Sequence, residues 1–160
     1  MSSEHTTVAI NGFGRIGRLL ARNIYTPNTK YHELLELTAI NDPVMTTEEM
    51  IYLLKHDSVY GAFSGSVRLC GNNDIEINGS RVAIHHCSNP SEVFWGATDF
   101  VLESSGKFTS GAQASDHLKM GAKKVIISAP AKDETPTYVM VISSPLILIM
   151  MMLLTASVSI

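Results

Sequence analysis

The stretch "TVAINGFGRIGRLLARNIY", Thr7–Tyr25, decides the fold. Thr7–Asn11 is a short, continuous apolar run, the pattern of a strand covered on both faces. Arg15–Tyr25 has the spacing of a helix, and three glycines stand between the two at Gly12, Gly14 and Gly17. Three more runs repeat the apolar pattern: "LELTAIN" (Leu35–Asn41), "DFVLESSG" (Asp99–Gly106) and "KVIISAP" (Lys124–Pro130). Helical stretches separate them. Thr46 and Glu49 in "TTEEMIYLLK" have capping-box spacing, and "SGAQASDHLKMG" reads as a helix stopped by Gly121. Strands alternating with helices predict an α/β fold, a Rossmann-type doubly wound and mostly parallel sheet. One β-hairpin insertion interrupts it, because Asn78-Gly79 sits between two alternating runs in "DIEINGSRVAIHH".

In such a sheet the ligand lies beyond the carboxyl ends of the strands. Those ends here are Asn11-Gly12, Asn41-Asp42, Ser104-Ser105-Gly106 and Ser128-Ala129-Pro130, small and polar throughout. Gly12-Phe13-Gly14-Arg15-Ile16-Gly17 has the spacing of a dinucleotide fingerprint, placed as required between strand and helix. Gly12 permits the tight turn, Gly14 admits a pyrophosphate close to the backbone, and Gly17 lets the helix pack on the strand. The helix-opening amides of Arg15 and Ile16 then donate to phosphate oxygens at the positive end of the dipole. Asp42 follows the second strand, where a carboxylate binds the adenosine ribose and repels a 2′-phosphate, so the expected cofactor is NAD rather than NADP.

Composition narrows the alternatives. A net charge of −3, with no basic run beyond Lys123-Lys124, argues against a polyanion-binding surface, so nucleic acid is not an expected partner. The amino-terminal "MSSEHTTVAI" lacks the layout of a secretory signal, and Cys70 and Cys87 form no CxxC pair. Both point to free thiols and a cytoplasmic location.

The pieces "INGFGRIGRL" (10–19), "AINDP" (39–43), "YLLKHDSVYG" (52–61), "VLESSGKFT" (101–109) and "HLKMGAKKVIISAPAKDETPTYVM" (117–140) resemble the NAD-binding half of phosphorylating glyceraldehyde-3-phosphate dehydrogenase. Erythrose-4-phosphate dehydrogenase shares several of them and is the alternative. The resemblance implies that Arg15 and Ile16 bind the pyrophosphate, and that Asn41-Asp42 close the strand bearing the adenosine-ribose ligand. Ser104, Ser105 and Gly106 line the dinucleotide, with Ser105 in place of the usual Thr. Phe108 forms one wall of the adenine pocket, and Ser128 contacts the cofactor from its strand end. Val44 stands where an aromatic wall is common, and Ser88 where an Arg is common; both departures imply weaker adenine binding.

The family reaction implied is NAD-dependent oxidative phosphorylation of glyceraldehyde 3-phosphate in glycolysis, by thiolate attack, hydride transfer and phosphate attack. After Met140 the chain departs from the family, and the Ser-Cys-Thr-Thr-Asn-Cys motif with its nucleophile does not follow. The chain is therefore expected to be an NAD-binding domain over residues 1–140, truncated before the catalytic half and inactive alone, with no catalytic residue of its own. Full-length subunits of the family are the expected protein partners, which makes a non-catalytic interaction module the other functional class.

Cys70 and Cys87 lie in or beside the hairpin rather than at a strand end facing the crevice, and no activating motif surrounds them. No metal site is expected either, because adjacent residues on a strand point to opposite faces and His85 and His86 should diverge. Residues 141–160 are a divergent hydrophobic tail with no charge after Glu134. Three readings stay open for it: sequence foreign to the fold, a packed element in which Val139–Ile142 completes a strand, or a membrane anchor. The anchor is short. Ser143-Ser144-Pro145 leaves sixteen residues, which rise about 24 Å as a helix against a hydrocarbon core of roughly 30 Å. Membrane contact is conceivable only through this tail.

Overall fold

The computed structural model describes residues 5–27 and 29–137, together with the backbone of Ser157–Val158. Strand β1 (Thr6–Asn11) leads through the glycine turn into helix α1 (Arg15–Ile24). Helix α2 (Lys30–Leu34) and strand β2 (Leu35–Asn41) follow, then helix α3 (Thr47–Lys55). Two short pairs come next: β3 (His56–Asp57) with β4 (Gly61–Ala62), and β5 (Val67–Cys70) with β6 (Asp74–Ile77). Strand β7 (Ser80–His85) and a 3-10 turn at Pro90–Glu92 precede β8 (Phe100–Glu103), helix α4 (Gly111–Lys119) and β9 (Lys124–Ile127). Ser157–Val158, β10, pairs antiparallel with Val125 and Ile126 of β9.

The main sheet has the order β10-β9-β8-β1-β2-β7-β6-β5. Strands β9, β8, β1, β2 and β7 are mutually parallel. From β1 the chain builds outward through β2 and β7, then returns to the other flank of β1 with β8. That reversal makes the β1/β8 junction the topological switch point, where an open parallel sheet leaves a crevice. The expected hairpin is present, with Asn78 at φ 50° and Gly79 at φ 90° supplying its two left-handed turn residues. It is not a separate insertion. Its second strand, β7, also pairs in parallel with β2 through Ala39–Ala83, Ile40–Ile84 and Asn41–His85.

Local chemistry sets the element ends. The Thr46 hydroxyl accepts from the Glu49 amide while the Glu49 carboxylate accepts from the Thr46 amide, a reciprocal cap that opens α3. In β2 a bulge falls at Thr38, since Val8 faces Leu37 but Ala9 faces Ala39. The bulge turns Leu37 and Ile40 to one face although they are three residues apart, where both join the larger core.

That core lies on one face of the sheet, with Val8, Ile10, Leu37, Ile40, Val82 and Leu102 packed under α1 and α3 through Leu20, Ile24, Met50 and Leu54. The opposite face carries small residues, Ala9 and Ala39 beside Val101 and Ala122, and this leaves room for Val93 and the bulky Trp95. Of the tail, β10 lies at the sheet edge beside β9; Val139–Ile142 falls outside the described residues. No helix among the described residues is long and apolar enough to cross a membrane.

Candidate functional site

A cavity of about 280 Å³ opens at the switch point, between the carboxyl ends of β1, β2 and β8 and the segment after β7. Gly12, Gly14, Asn41, Asp42, Ser104, Ser105 and Phe108 all line it. The three fingerprint glycines do different work. Gly12, at φ 91°, would place a Cβ 2.5 Å from Cα of Ser105, so β1 and β8 can end side by side only if this position has no side chain. A Cβ on Gly17 would collide with the carbonyl oxygen of Gly12, so this glycine seats α1 on the turn. At Gly14 nothing lies within 4 Å of the place a Cβ would take, and its φ is −67°. The protein's own packing gives no reason for that glycine.

Gly14 is also the N-cap of α1, with no side-chain cap bond. The first helical bond runs from the Arg18 amide to the Gly14 carbonyl at 3.0 Å. The amides of Arg15 and Ile16 precede it and have no acceptor within the helix, so they face outward at its positive end. The Arg15 side chain is exposed, whereas Ile16 packs partly against the core. Phe13 brings only its backbone: its ring is fully buried in the core, while its amide donates to Asp42 Oδ2 at 2.8 Å.

Asp42 joins two sides of the cavity. Besides Phe13, the Val44 and Met45 amides donate to its Oδ1 at 2.9 and 3.1 Å. Three backbone donors leave about one acceptor direction of a carboxylate for a ligand hydroxyl. His86 supports Asp42 from behind through a 3.0 Å contact between its Nδ1 and the Asp42 carbonyl, and His85 turns instead toward Trp95, ring centroids 6.2 Å apart. The two imidazoles therefore diverge, and burial pushes that of His85 below its ordinary value. Among the described residues no cluster of three potential metal ligands forms.

At the end of β8, the Ser104 amide donates to the Asn11 carbonyl at 2.7 Å, and its hydroxyl oxygen is buried without a partner. Ser105 is held by Glu103, and its Oγ in turn accepts from the Lys107 amide at 3.1 Å. Gly106, at φ 72°, turns the chain toward Phe108, which is half-buried on the cavity wall. Ser128 stands one strand further out, its amide bonded to the Glu103 carbonyl at 2.9 Å, and does not line this cavity. Gly106, Arg15 and Ile16 lie beside the lining rather than in it.

The cavity also contains residues that sequence reasoning did not assign to it: Pro43, Met45, Cys87 and Lys107. Cys87 is a correction. It was expected to lie away from the strand ends facing the crevice, but because β7 pairs in parallel with β2, Cys87, two residues beyond the end of β7, faces the crevice. Its thiol contacts the Glu92 carbonyl oxygen at 3.6 Å. Asn11, expected at the crevice as the end of the first apolar run, lines it. Val44, 81% exposed, and Ser88 line the same cavity as Phe108.

The features fit a dinucleotide: an open approach at Gly14, outward amides at a helix start, one free acceptor direction on Asp42 and an unpartnered hydroxyl on Ser104. Residues 6–111 match the family model of the glyceraldehyde 3-phosphate dehydrogenase NAD-binding domain. The chain is 48% identical over 134 residues to a chloroplastic glyceraldehyde-3-phosphate dehydrogenase of Arabidopsis thaliana, covering 82% of this chain and 31% of that protein. It is 45% identical over 134 residues to glyceraldehyde-3-phosphate dehydrogenase 1 of Schizosaccharomyces pombe, covering 82% and 38%. With the enzyme of Colletotrichum gloeosporioides it shares 46% identity over 138 residues, covering 85% and 39%. The chain thus spans roughly a third of the length of these relatives. It belongs to the family of glyceraldehyde-3-phosphate dehydrogenase NAD-binding domains.

Proposed function

We propose that this chain binds NAD in the β1/β8 crevice and forms the cofactor half of a phosphorylating aldehyde dehydrogenase, over residues 1–140. The observation that carries the reading is the open space at Gly14 beside the outward amides of α1, an approach that suits a phosphate group. The pyrophosphate sits on the Gly14, Arg15 and Ile16 backbone, and the adenosine ribose donates to Asp42. Adenine lies between Phe108 and Val44, with the ring on one side and a small aliphatic wall on the other. Ser104, Ser105 and Gly106 guide the chain of the dinucleotide toward Ser128.

When bound, NAD supplies a hydride acceptor. The residues described here bind and orient it. The nucleophile, its base and the phosphate sites of the relatives' reaction are not assigned to any described residue, so the chain alone is proposed to be inactive. The free thiols Cys70 and Cys87 support a reducing, cytoplasmic setting. A second reading, association with full-length subunits of the family, is favoured by the exposed apolar side chains Tyr52, Val59 and Tyr60.

Calorimetric titration of the purified chain with NAD and NADP tests the binding reading. NAD should bind, and NADP at least roughly tenfold more weakly, because its 2′-phosphate meets the Asp42 carboxylate. Equal binding of the two, or none, would refute it.

A further inference from the structure

From Asn11, Asn41 and Ser105 in the lining of the crevice a buried polar chain runs inward to Glu103, His117 and Trp95, three residues for which cofactor contacts give no role. Glu103 and His117 are 1% and 0% exposed. Glu103 closes the parallel ladder opposite Asn11. Its Oε2 accepts from Asn11 Nδ2 at 2.5 Å and lies 3.0 Å from His117 Nε2. Its Oε1 accepts from both the amide, at 2.8 Å, and the hydroxyl of Ser105. On the β2 side, Asn41 Nδ2 donates to Asn11 Oδ1 at 2.7 Å, and Asn41 Oδ1 accepts from the Cys87 amide at 2.8 Å. On the α4 side, Trp95 Nε1 donates to His117 Nδ1 at 3.0 Å.

The polarity of this chain has one solution. A backbone amide, at Cys87, and an indole N–H, at Trp95, can only donate. The Cys87 amide fixes the orientation of Asn41, which fixes Asn11, whose Nδ2 must then point at Glu103. The Trp95 indole makes His117 Nδ1 an acceptor, so its Nε2 carries the proton and donates to Glu103. Donors run inward from both ends and meet at one carboxylate.

We propose that Glu103 is a positioning residue for the dinucleotide crevice: its carboxylate is the common acceptor that holds the ends of β1, β2 and β8 and the Ser105 backbone at the spacing the cofactor needs. The inference rests on the NAD-binding reading above. No neutral side chain replaces this one. Glutamine in one orientation turns its NH₂ toward the Ser105 amide, and in the other toward Asn11 and His117. Flipping Asn11 and Asn41 to relieve the second only moves the conflict to the Cys87 amide. Either way a buried donor is left without an acceptor at the crevice.

The test is NAD titration into the full chain and its Glu103→Gln and Asn78→Ala variants, each with a thermal melt. Asn78 caps the distant hairpin turn through a 2.8 Å bond to the Ser66 amide, so its loss lowers stability away from the crevice. Glu103→Gln should weaken NAD binding by about tenfold or more, and Asn78→Ala by less than about twofold. Should Glu103→Gln not fold, the pair His117→Phe and His117→Gln decides. Glutamine can still accept from Trp95 and donate to Glu103, so it should bind NAD nearly as the parent does, while phenylalanine should not. Parent-like affinity in Glu103→Gln, or equal affinities in the His117 pair, would overturn the proposal while leaving the crevice as the NAD site. Failure of the parent itself to bind NAD would instead overturn the reading on which it rests.

Discussion

Alanine placed in turn at Gly12, Gly14 and Gly17 separates what the turn does for the fold from what it does for the ligand. Gly12→Ala puts an L side chain at φ 91°, which costs roughly 1–2 kcal/mol. It also drives a Cβ to 2.5 Å from Ser105, where carbon contacts normally sit near 3.5–4.0 Å, so the β8 end must yield by about 1 Å. Overpacking of that kind costs about 1–3 kcal/mol more. Together these lower the melting temperature of a domain this size by roughly 10 °C, with or without NAD. Gly17→Ala meets the Gly12 carbonyl and should behave alike. Gly14→Ala meets no protein atom within 4 Å and loses only glycine's advantage over alanine at an N-cap, about 0.5–1 kcal/mol, so the melting temperature of the free protein should fall by only about 1–4 °C. Its larger effect should appear with ligand. NAD at a hundred times the parent's dissociation constant adds about 2.7 kcal/mol of stability, and a tenfold weaker site about 1.4, so the NAD-induced rise in melting temperature should halve. Differential scanning calorimetry at two NAD concentrations measures all of this. A Gly14→Ala protein that melts as low as Gly12→Ala, or that keeps the full NAD-induced rise, would refute the division of roles.

Two further predictions concern stability. Burial pushes the Tyr25 phenol up to about 12, while in the unfolded chain it ionises near 10, so the unfolded state releases its proton first as pH rises. The contribution is intact below pH of about 10 and is lost across about pH 10–12; denaturation curves should show the parent losing roughly 2–3 kcal/mol more than Tyr25→Phe over that window, and parallel losses would contradict it. Thr46→Ala removes the hydroxyl that caps α3 and should cost about 1 kcal/mol by urea denaturation, whereas Thr46→Ser should cost much less.

Much of the fold was legible because its signals are local. The strands β1, β2, β8 and β9 are apolar runs that need no partner to be recognised, and the α3 cap and the Asn78-Gly79 turn are written in adjacent residues. What escaped is set elsewhere in the chain. Helix α2 is five residues long, held by a Thr29 hydroxyl accepting from the His32 amide at 3.4 Å, too brief to leave a period. Strand β7 reads as half of a hairpin because its second partner, β2, lies some forty residues away. That one misplacement carried Cys87 out of the predicted crevice. Of the residues that line the cavity, Gly12, Gly14, Asp42 and Ser104 were readable from the motif and from the strand ends, and Phe108 from the family resemblance. The orientation of Phe13 was not, since the sequence gives no hint that its ring turns into the core while its amide serves Asp42.

The two allegiances of β7 bear on how the chain reaches this structure. Its hairpin with β6 closes through a two-residue turn, a process that takes on the order of 1–10 μs. Its parallel pairing with β2 requires closing a loop of some forty residues, and non-local pairings of that kind form more slowly. The hairpin is therefore expected early, presenting an already ordered strand edge on which β2, and then β1, can dock. The strand order would then grow toward the cofactor crevice, so that the binding site is among the last parts of the sheet to close.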